Sequence, residues 1–221
     1  MEDAEGGGTG GDSVGEREVG RLAAFSDGVF AIAITLLVLP LTEEDVVAGR
    51  VAESLSALVP QMLTFLLSFA VVGRYWVLHH GLLRSVVRSD TRLLSLNLVF
   101  LFWVAFLPFP TNVLGEADAT TAAVVFYAVS IIATGVSAAV LELHVLRSGL
   151  LGTRASSATV RSYLSGVLVP SVAFLPSLPI AFLSPGAAKL SWLLTIPVGM
   201  VQDRWFPPEE DVRVGPGRGG S

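Results

Sequence analysis

An apolar segment near the N-terminus places the strongest constraint on this chain. Residues 21–41 read RLAAFSDGVFAIAITLLVLPL, and the fourteen residues after Asp27 carry no charge and a single hydroxyl, that of Thr35. A helix of this length covers about 30 Å, the thickness of the hydrocarbon core of a bilayer. The segment therefore predicts a membrane-spanning helix. Its first turns carry Arg21, Ser26 and Asp27, and ionisable groups within a membrane are costly enough to indicate function.

The composition extends this prediction to the whole chain. Of the 221 residues, 52% are hydrophobic, and the mean hydropathy of +0.67 is too high for a soluble domain of this size. We therefore predict an all-α, polytopic membrane protein with six transmembrane helices. The sixth is short and contains Pro197. After residues 21–41, the other spans are predicted at residues 55–78, 93–110, 121–146, 163–183 and 187–201.

The two ends of the chain are polar and are predicted to be disordered cytoplasmic tails. Residues 1–18 are rich in glycine and acidic side chains, and residues 204–221 are rich in proline, glycine and charge. Residues 19–203 form the predicted six-helix transmembrane domain. The first tail lacks the positive and apolar regions of a signal peptide. The net charge of −5 offers no basic surface for nucleic acid, and the absence of cysteine excludes disulfides.

The basic residues predict the orientation. In a six-span arrangement, twelve of the fourteen Arg and Lys residues fall on one side of the membrane. Because cytoplasmic loops carry an excess of these residues, we expect a cell-membrane protein with both termini in the cytoplasm. The twelve are Arg17, Arg21, Arg74, Arg84, Arg88, Arg92, Arg147, Arg154, Arg161, Arg204, Arg213 and Arg218, and the other two are Arg50 and Lys189.

Helical phase divides the first span into two faces. At about 100° per residue, Ile32, Leu36 and Leu39 fall on one stripe. Thr35 borders this stripe, and Asp27 lies on the opposite side, where its carboxylate needs a partner within the protein. An aliphatic stripe of this kind either lines a pore or packs against neighbouring helices. The residues alone leave both interpretations open.

The polar head of the first span also allows several interpretations. Arg21, Ser26 and Asp27 could form a proton relay, an ion site or a structural network. Because Asp27 points away from the aliphatic stripe, the network is favoured. Its natural partners lie near the cytoplasmic ends of the second and third spans and are Trp76, His79, His80 and Asn97.

The other ionisable residues predict neither a metal site nor an enzyme. His79 and His80 are adjacent, so they point about 100° apart on a helix and are poorly placed to chelate one ion. His144 and Glu142 are interpreted as an interfacial pair. The sequence contains no nucleophile elbow, HExxH, Walker or paired-carboxylate arrangement. We therefore expect no catalysis, no metal and no cofactor.

Several motifs together resemble those of the transmembrane protein 175 potassium-channel family. Residues 21–27 read RLAAFSD, which matches the RxxxFSD signature of that family at the head of a first apolar helix. Residues 75–80 (YWVLHH) follow in the second span, and residues 96–98 (LNL) and 105–110 (AFLPFP) follow in the third. The matches run in the order of the family and cover about half of the chain.

The resemblance implies a potassium-permeable channel whose pore lies on a symmetry axis and is lined by the first helix. Ile32 stands where the family has its constricting residue, and Leu36 and Leu39 follow one and two turns later. Thr35 matches the hydroxyl position that contributes to potassium preference in that family. The resemblance also implies a hydrogen-bonded signature network. Its members here are Arg21, Phe25, Ser26, Asp27, Trp76, His80 and Asn97.

The resemblance also implies the assembly. Animal relatives carry two six-helix units and form dimers, so the single unit here implies a homotetramer in the lipid bilayer, through which K⁺ and other monovalent cations pass passively. Because the sequence contains no TVGYG-like filter, we expect only moderate preference for K⁺ over Na⁺. Two alternatives remain. One is a proton-coupled secondary transporter that uses Asp27 and His80 as a relay, and the other is a non-conducting membrane scaffold.

Overall fold

The computed structural model describes residues 9–42, 48–116, 120–151 and 157–192. Over these residues the secondary structure is helical, apart from one isolated antiparallel bridge between Val86 and Leu151. The helices in chain order are α1 (Thr9–Leu36), α2 (Leu39–Thr42), α3 (Val51–Arg84), α4 (Thr91–Phe106), α5 (Pro108–Glu116), α6 (Thr121–Arg147), α7 (Ser157–Phe174), α8 (Ser177–Leu183) and α9 (Pro185–Ser191).

Within the described residues, five segments are long and apolar enough to cross a membrane. Each contains or overlaps one of the first five predicted spans, which confirms the all-α, multi-pass architecture. The predicted sixth span begins within α9, but residues 193–201 lie outside the described part of the chain, so this span stays a prediction. The five segments are Arg17–Thr42, Val51–Arg84, Thr91–Glu116, Thr121–Arg147 and Val160–Leu183.

Two predicted boundaries differ from the helices. Helix α1 begins at Thr9, so it includes part of the stretch that the sequence assigns to a tail before residue 19. The third span continues through α5 to Glu116, whereas the sequence predicts a loop after Pro110. Pro108 and Pro110 lie in the first turn of α5, where proline is tolerated because the amides there have no partner within the helix.

Helix α6 forms the centre of the described bundle. It packs against α4, α5, α7, α8 and α9, whereas α1 packs mainly against α3 and α4. Residues of α6 such as Tyr127, Ala128 and Ile131 are therefore buried on more than one side of the helix. Because α1 has neighbours on one side only, its other side is left uncovered by the described residues of this chain.

Side-chain caps fix where two of the long helices begin. The carboxylate of Asp90 accepts a hydrogen bond from the Leu93 amide at the start of α4. The Thr120 hydroxyl accepts one from the Ala123 amide at the start of α6, at 3.4 Å. Both residues belong to the types that satisfy the free amides of a first helical turn.

Candidate functional site on helix α1

One face of α1 is buried against the bundle. From Leu22 onwards every third or fourth residue is buried, because this spacing keeps side chains on one side of a helix. The Phe30 ring, for example, is 1% exposed and lies 5.8 Å from the ring of Phe100 on α4. The residues of this buried face are Leu22, Ser26, Phe30, Ala33 and Leu37.

The opposite face of α1 is apolar and exposed in the single chain. Its aliphatic stripe consists of Ile32, Leu36 and Leu39, which are 62%, 40% and 48% exposed. Phe25 lies on the same side and is 53% exposed. The structure thus places the predicted stripe outside the buried core of the described residues. The role of the stripe in conduction stays a prediction.

Thr35 also lies on the exposed face. Its hydroxyl donates a hydrogen bond to the Ile32 carbonyl oxygen at 2.8 Å, within its own helix. The hydrogen of this hydroxyl is therefore already bonded, but its oxygen can still accept a contact from outside the chain. An oxygen in this position is chemically suited to contact a passing cation.

The end of α1 departs from a continuous helix. Helix α1 ends at Leu36 and α2 begins at Leu39, so the predicted stripe crosses a break. Pro40 explains this break, because its ring clashes with the carbonyl of the residue four positions earlier and it has no amide hydrogen. Around the break the amides of Val38 and Leu41 donate to carbonyls three residues back, at 3.4 and 3.0 Å.

Ser26 connects α1 to α4. Its hydroxyl donates to the Leu22 carbonyl at 2.9 Å and accepts from the Asn97 side-chain amide at 3.1 Å. Both Ser26 and Asn97 are 0% exposed. The Asn97 side-chain oxygen is buried and has no hydrogen-bond partner among the described residues. Further loss of partners at Asn97 would therefore leave its whole amide group unsatisfied.

Asp27 connects α1 to α3. The Trp76 indole donates to the Asp27 carboxylate at 2.9 Å, and the nearest ring nitrogen of His80 lies 3.6 Å from the same carboxylate oxygen. The Trp76 and His80 rings lie 5.5 Å apart, one helical turn from each other on α3. Because successive helical residues point about 100° apart, Ser26 and Asp27 reach two different helices. Together they fix the rotation of α1 about its own axis.

The two adjacent histidines have different surroundings. His79 is 4% exposed and lies between the rings of Phe30 and Phe100, at 5.8 and 5.1 Å. His80 faces Asp27 instead, with 38% of its side chain exposed. The geometry therefore brings His80 and not His79 to the signature carboxylate. Among the described residues, no group of three or more His, Cys, Asp or Glu is placed to hold a metal ion.

The structure does not bring every predicted network residue together. Arg21 and Phe25 are exposed on the surface of the single chain, on the same side as the aliphatic stripe. The contacts described above join Ser26 to Asn97, and Asp27 to Trp76 and His80. The predicted set of seven is thus divided between five residues whose contacts join α1 to α3 and α4 and two outward-facing side chains.

Sequence reasoning missed a second set of polar contacts in the bundle interior. The Thr111 hydroxyl of α5 donates to the Ser68 oxygen of α3 at 3.0 Å, and Ser68 lies 2.9 Å from the Tyr127 hydroxyl of α6. All three residues are buried. Ser68 lies 43 positions from Thr111 and 59 from Tyr127, so no local spacing in the sequence could have joined them.

A close approach of three helices was also missed. A methyl group at Gly135 of α6 would lie 2.8 Å from the Tyr75 hydroxyl and 3.1 Å from the Val167 carbonyl oxygen, and it would overlap the Ser171 hydroxyl. The Tyr75 hydroxyl donates to the Ile131 carbonyl at 3.4 Å. Glycine at position 135 therefore allows α3 and α7 to meet on α6.

The predicted pairing of His144 with Glu142 is wrong. His144 hydrogen-bonds the Asp90 carboxylate at 3.0 Å, while Glu142 is 2% exposed and one of its carboxylate oxygens has no partner among the described residues. Residues two apart on a helix point to nearly opposite sides, so they do not face each other. At Asp90, the hydrogen bond from the Leu93 amide lowers the pKa of the carboxyl group, and the contact with His144 lowers that pKa further.

Comparison with known proteins identifies the family. The family model described as endosomal/lysosomal potassium channel TMEM175 matches residues 21–108. A protein of Streptomyces collinus named as a potassium channel is 39% identical over 139 residues, which cover 61% of this chain and 68% of that protein. The chain belongs to the TMEM175 family. A potassium channel of Chryseobacterium sp. is 37% identical over 128 residues, or 58% of this chain.

The extent of these matches differs between relatives. The matched segment spans 65% of the length of the Chryseobacterium protein. Human TMEM175, which is named as an endosomal/lysosomal proton channel, is 38% identical over 97 residues, or 40% of this chain and 19% of that protein. The chain therefore shares its N-terminal half most clearly with the family, which is the half that contains the site described above.

A solved structure matches over a longer stretch. The crystal structure of a homologue of the lysosomal potassium-selective channel TMEM175, from Chamaesiphon minutus, is 31% identical in sequence. It superimposes with a TM-score of 0.67 and covers 85% of this chain and 99% of that chain. This TMEM175 member is thus a multi-pass, all-helical membrane protein with the fold of a TMEM175 channel.

Proposed function

We propose that this TMEM175 member is the subunit of a potassium-permeable channel in the cell membrane, with moderate preference for K⁺ over Na⁺. Bacterial relatives are named potassium channels, which supports K⁺ as the permeant ion. A passive pathway of this kind needs no catalysis, metal or cofactor.

The orientation of α1 is the observation that carries the proposal. Ser26 and Asp27 bind side chains of α4 and α3, and the aliphatic stripe points the other way. One such helix cannot enclose a pathway. Copies of the chain around a closed cyclic axis would each supply one α1 to a common wall, and cyclic symmetry is the usual arrangement of such subunits. We propose a homotetramer with cytoplasmic termini, the side that the basic residues favour.

Ile32, Leu36 and Leu39 are the proposed constriction. A ring of bulky aliphatic side chains closes a narrow pore because water leaves it, and a modest rotation or dilation of the helices reopens it. Thr35 would present its oxygen to the ion next to this ring. Because Leu39 begins α2 after the break at residues 37–38, its position relative to Ile32 would change if the chain bent at this break.

Single-channel recording tests this proposal. Ile32→Asn should raise the conductance and lower the preference for K⁺ over Na⁺, because an amide keeps the constriction wet. The matched control is Val172→Asn on α7, since Val172 is 57% exposed but lies on another helix. Currents of the Ile32 variant that equal those of the wild type would refute the pore-lining role. Absence of K⁺ flux in any condition would favour a membrane scaffold.

A proton-coupled transporter is the second candidate, and the human relative, which is named a proton channel, supports proton movement. Vesicles loaded with K⁺ and a pH-sensitive dye separate the two candidates. A K⁺ channel passes K⁺ current without a proton gradient. A proton-coupled transporter moves K⁺ only when protons move too, and Asp27→Asn would then abolish the flux of both ions.

A further inference from the structure

A groove runs between α4 and α6 on the outside of the described bundle, away from α1. It has a volume of about 310 Å³, which is within the range of ligand-binding clefts. Val99, Val136 and Val140 are about half exposed along it, at 51%, 50% and 47%. The lining consists of Leu96, Val99 and Trp103 from α4, and of Ala133, Val136, Ser137 and Val140 from α6.

The lining of this groove suits a hydrocarbon chain. Its polar groups are the indole N–H of Trp103 and the hydroxyl of Ser137, which donates to the Thr134 carbonyl at 2.7 Å within its own helix. The rest of the lining is aliphatic, so an occupant needs few hydrogen-bonding groups along the groove. Because the groove lies on membrane-spanning segments, the acyl chains of the bilayer are the apolar molecules that reach it.

One end of the groove is cationic. Helices α4 and α6 are antiparallel here, as the 3.0 Å contact between Asp90 before α4 and His144 in the last turn of α6 shows. Arg92 precedes Leu96 by one helical turn, and Arg147 follows Val140 by two turns, so both arginines lie on the groove side of their helices.

The acidic group at this end is already engaged. Asp90 binds the Leu93 amide and His144, whereas the guanidinium groups of Arg92 and Arg147 belong to exposed residues. The groove is thus apolar along its length and ends at an exposed pair of cations at one membrane surface. Guanidinium groups bind phosphate oxygens through two parallel hydrogen bonds, which a single ammonium group cannot do.

We propose that the α4–α6 groove binds an anionic phospholipid, with one acyl chain against the valines and Trp103 and the headgroup phosphate at Arg92 and Arg147. The charge complementarity at the mouth selects this occupant over a neutral lipid. The cytoplasmic leaflet holds the anionic lipids of a membrane. The proposal needs only that the chain spans a bilayer, so it does not depend on ion conduction.

Trp103 provides the probe, because brominated acyl chains quench tryptophan fluorescence on contact. Full-length protein is reconstituted into vesicles that contain brominated phosphatidylglycerol or brominated phosphatidylcholine. The contribution of Trp103 is the difference between the wild type and Trp103→Phe. We expect phosphatidylglycerol to quench this contribution at a lower mole fraction than phosphatidylcholine does. Arg92 and Arg147, which lie at the mouth of the groove, should each contribute about fivefold to the preference measured at Trp103.

Variants at the arginines measure the contribution of the lipid headgroup separately from that of the acyl chain. Arg92→Gln with Arg147→Gln should reduce the preference for phosphatidylglycerol to that of phosphatidylcholine, while the pair of Lys variants should keep part of it. Arg84→Gln, which removes an exposed cation of α3 at the same membrane surface, is the matched control and should change nothing. Size-exclusion profiles identify any variant that fails to fold.

Filling the groove tests the acyl chain. Val136→Phe should reduce Trp103 quenching by both lipids, whereas Val172→Phe on α7 should leave it unchanged. Equal quenching by both lipids in the wild type would overturn the proposal, and so would a preference that survives the double Gln variant. Trp103 quenching that is absent in the assembled protein but appears after dissociation would show that a second copy of the chain covers the groove, and would also overturn it.

Discussion

Replacing Ser26 and Asn97, singly and together, measures how firmly α1 is held against α4. The Ser26 hydroxyl accepts from the Asn97 amide at 3.1 Å, and both residues are 0% exposed. Ser26→Ala removes this acceptor and leaves the Asn97 amide with neither its donor nor its oxygen paired among the described residues. Asn97→Ala leaves Ser26 with its hydrogen bond to the Leu22 carbonyl at 2.9 Å.

The two single variants should therefore lose similar amounts of stability, but for different reasons. Ser26→Ala strands a buried amide, which costs about 1–3 kcal/mol. Asn97→Ala loses one hydrogen bond of about 0.5–1.5 kcal/mol and adds a small cavity. Hydrogen bonds between membrane helices couple by about 0.6 kcal/mol on average and by at most about 1.7 kcal/mol. We expect the double variant to lose less stability than the sum of the single variants by an amount in this range.

Unfolding in mixed micelles, followed by tryptophan fluorescence, measures these free energies. The control cycle combines Asn97→Ala with Ser130→Ala, because Ser130 is also buried but donates to the Phe126 carbonyl within α6. That cycle should be additive within about 0.5 kcal/mol. If the Ser26 and Asn97 cycle is equally additive, the contact does not hold α1, and the argument from its fixed rotation fails.

Three further predictions concern the rest of the bundle. Gly135→Ala should cost about 1–3 kcal/mol of stability, since its methyl group would overlap the Ser171 hydroxyl, whereas Gly73→Ala meets no atom within 4 Å and should be neutral or stabilising in a thermal melt. The pKa of Asp90 is lowered in the folded chain, so its stabilising effect is present above the unfolded pKa of about 4 and is lost as pH falls. Asp90→Asn should thus lower the melting temperature at pH 7 and have little effect in acid; a deficit that is constant across pH would contradict this. Glu142→Met should raise the melting temperature, because an apolar side chain of similar size removes a buried polar group with an unpartnered oxygen; a lower melting temperature would show that the carboxyl group makes a stabilising contact in the assembled protein.

The division of α1 into two faces could be predicted because it depends on local helix geometry. The stripe of Ile32, Leu36 and Leu39 follows from the helical period, and the position of Asp27 on another face follows from the same period. A carboxylate within a membrane needs a partner, so the candidates for contact with Asp27 were limited to a few polar residues. Among these, Trp76 and His80 lie at the carboxylate in the structure.

Contacts between distant helices could not be predicted in this way. The period of α6 does not reveal that Gly135 faces Tyr75 and Ser171, because that meeting depends on how three helices cross. His144 and Glu142 are close in sequence, yet they point to different sides of α6, so proximity along the chain gave the wrong pair. The break after Leu36 was missed because a proline disturbs the helix one turn before its own position.

The exposed face of α1 carries polar and small residues beside its aliphatic stripe, and this composition bears on where α1 lies in the assembly. Lipid accepts valine and leucine on any helix, so exposure of aliphatic side chains alone does not separate a pore from a lipid contact. Arg21, Gly28 and Thr35, however, are spaced by seven residues and are all exposed on α1. Contact with lipid chains does little to stabilise a cation, a hydroxyl or the backbone exposed at a glycine. In helices that meet around an axis, small residues permit close approach, and the polar groups face water or ions. The composition of this face therefore supports the proposed axial position of α1 independently of the aliphatic stripe.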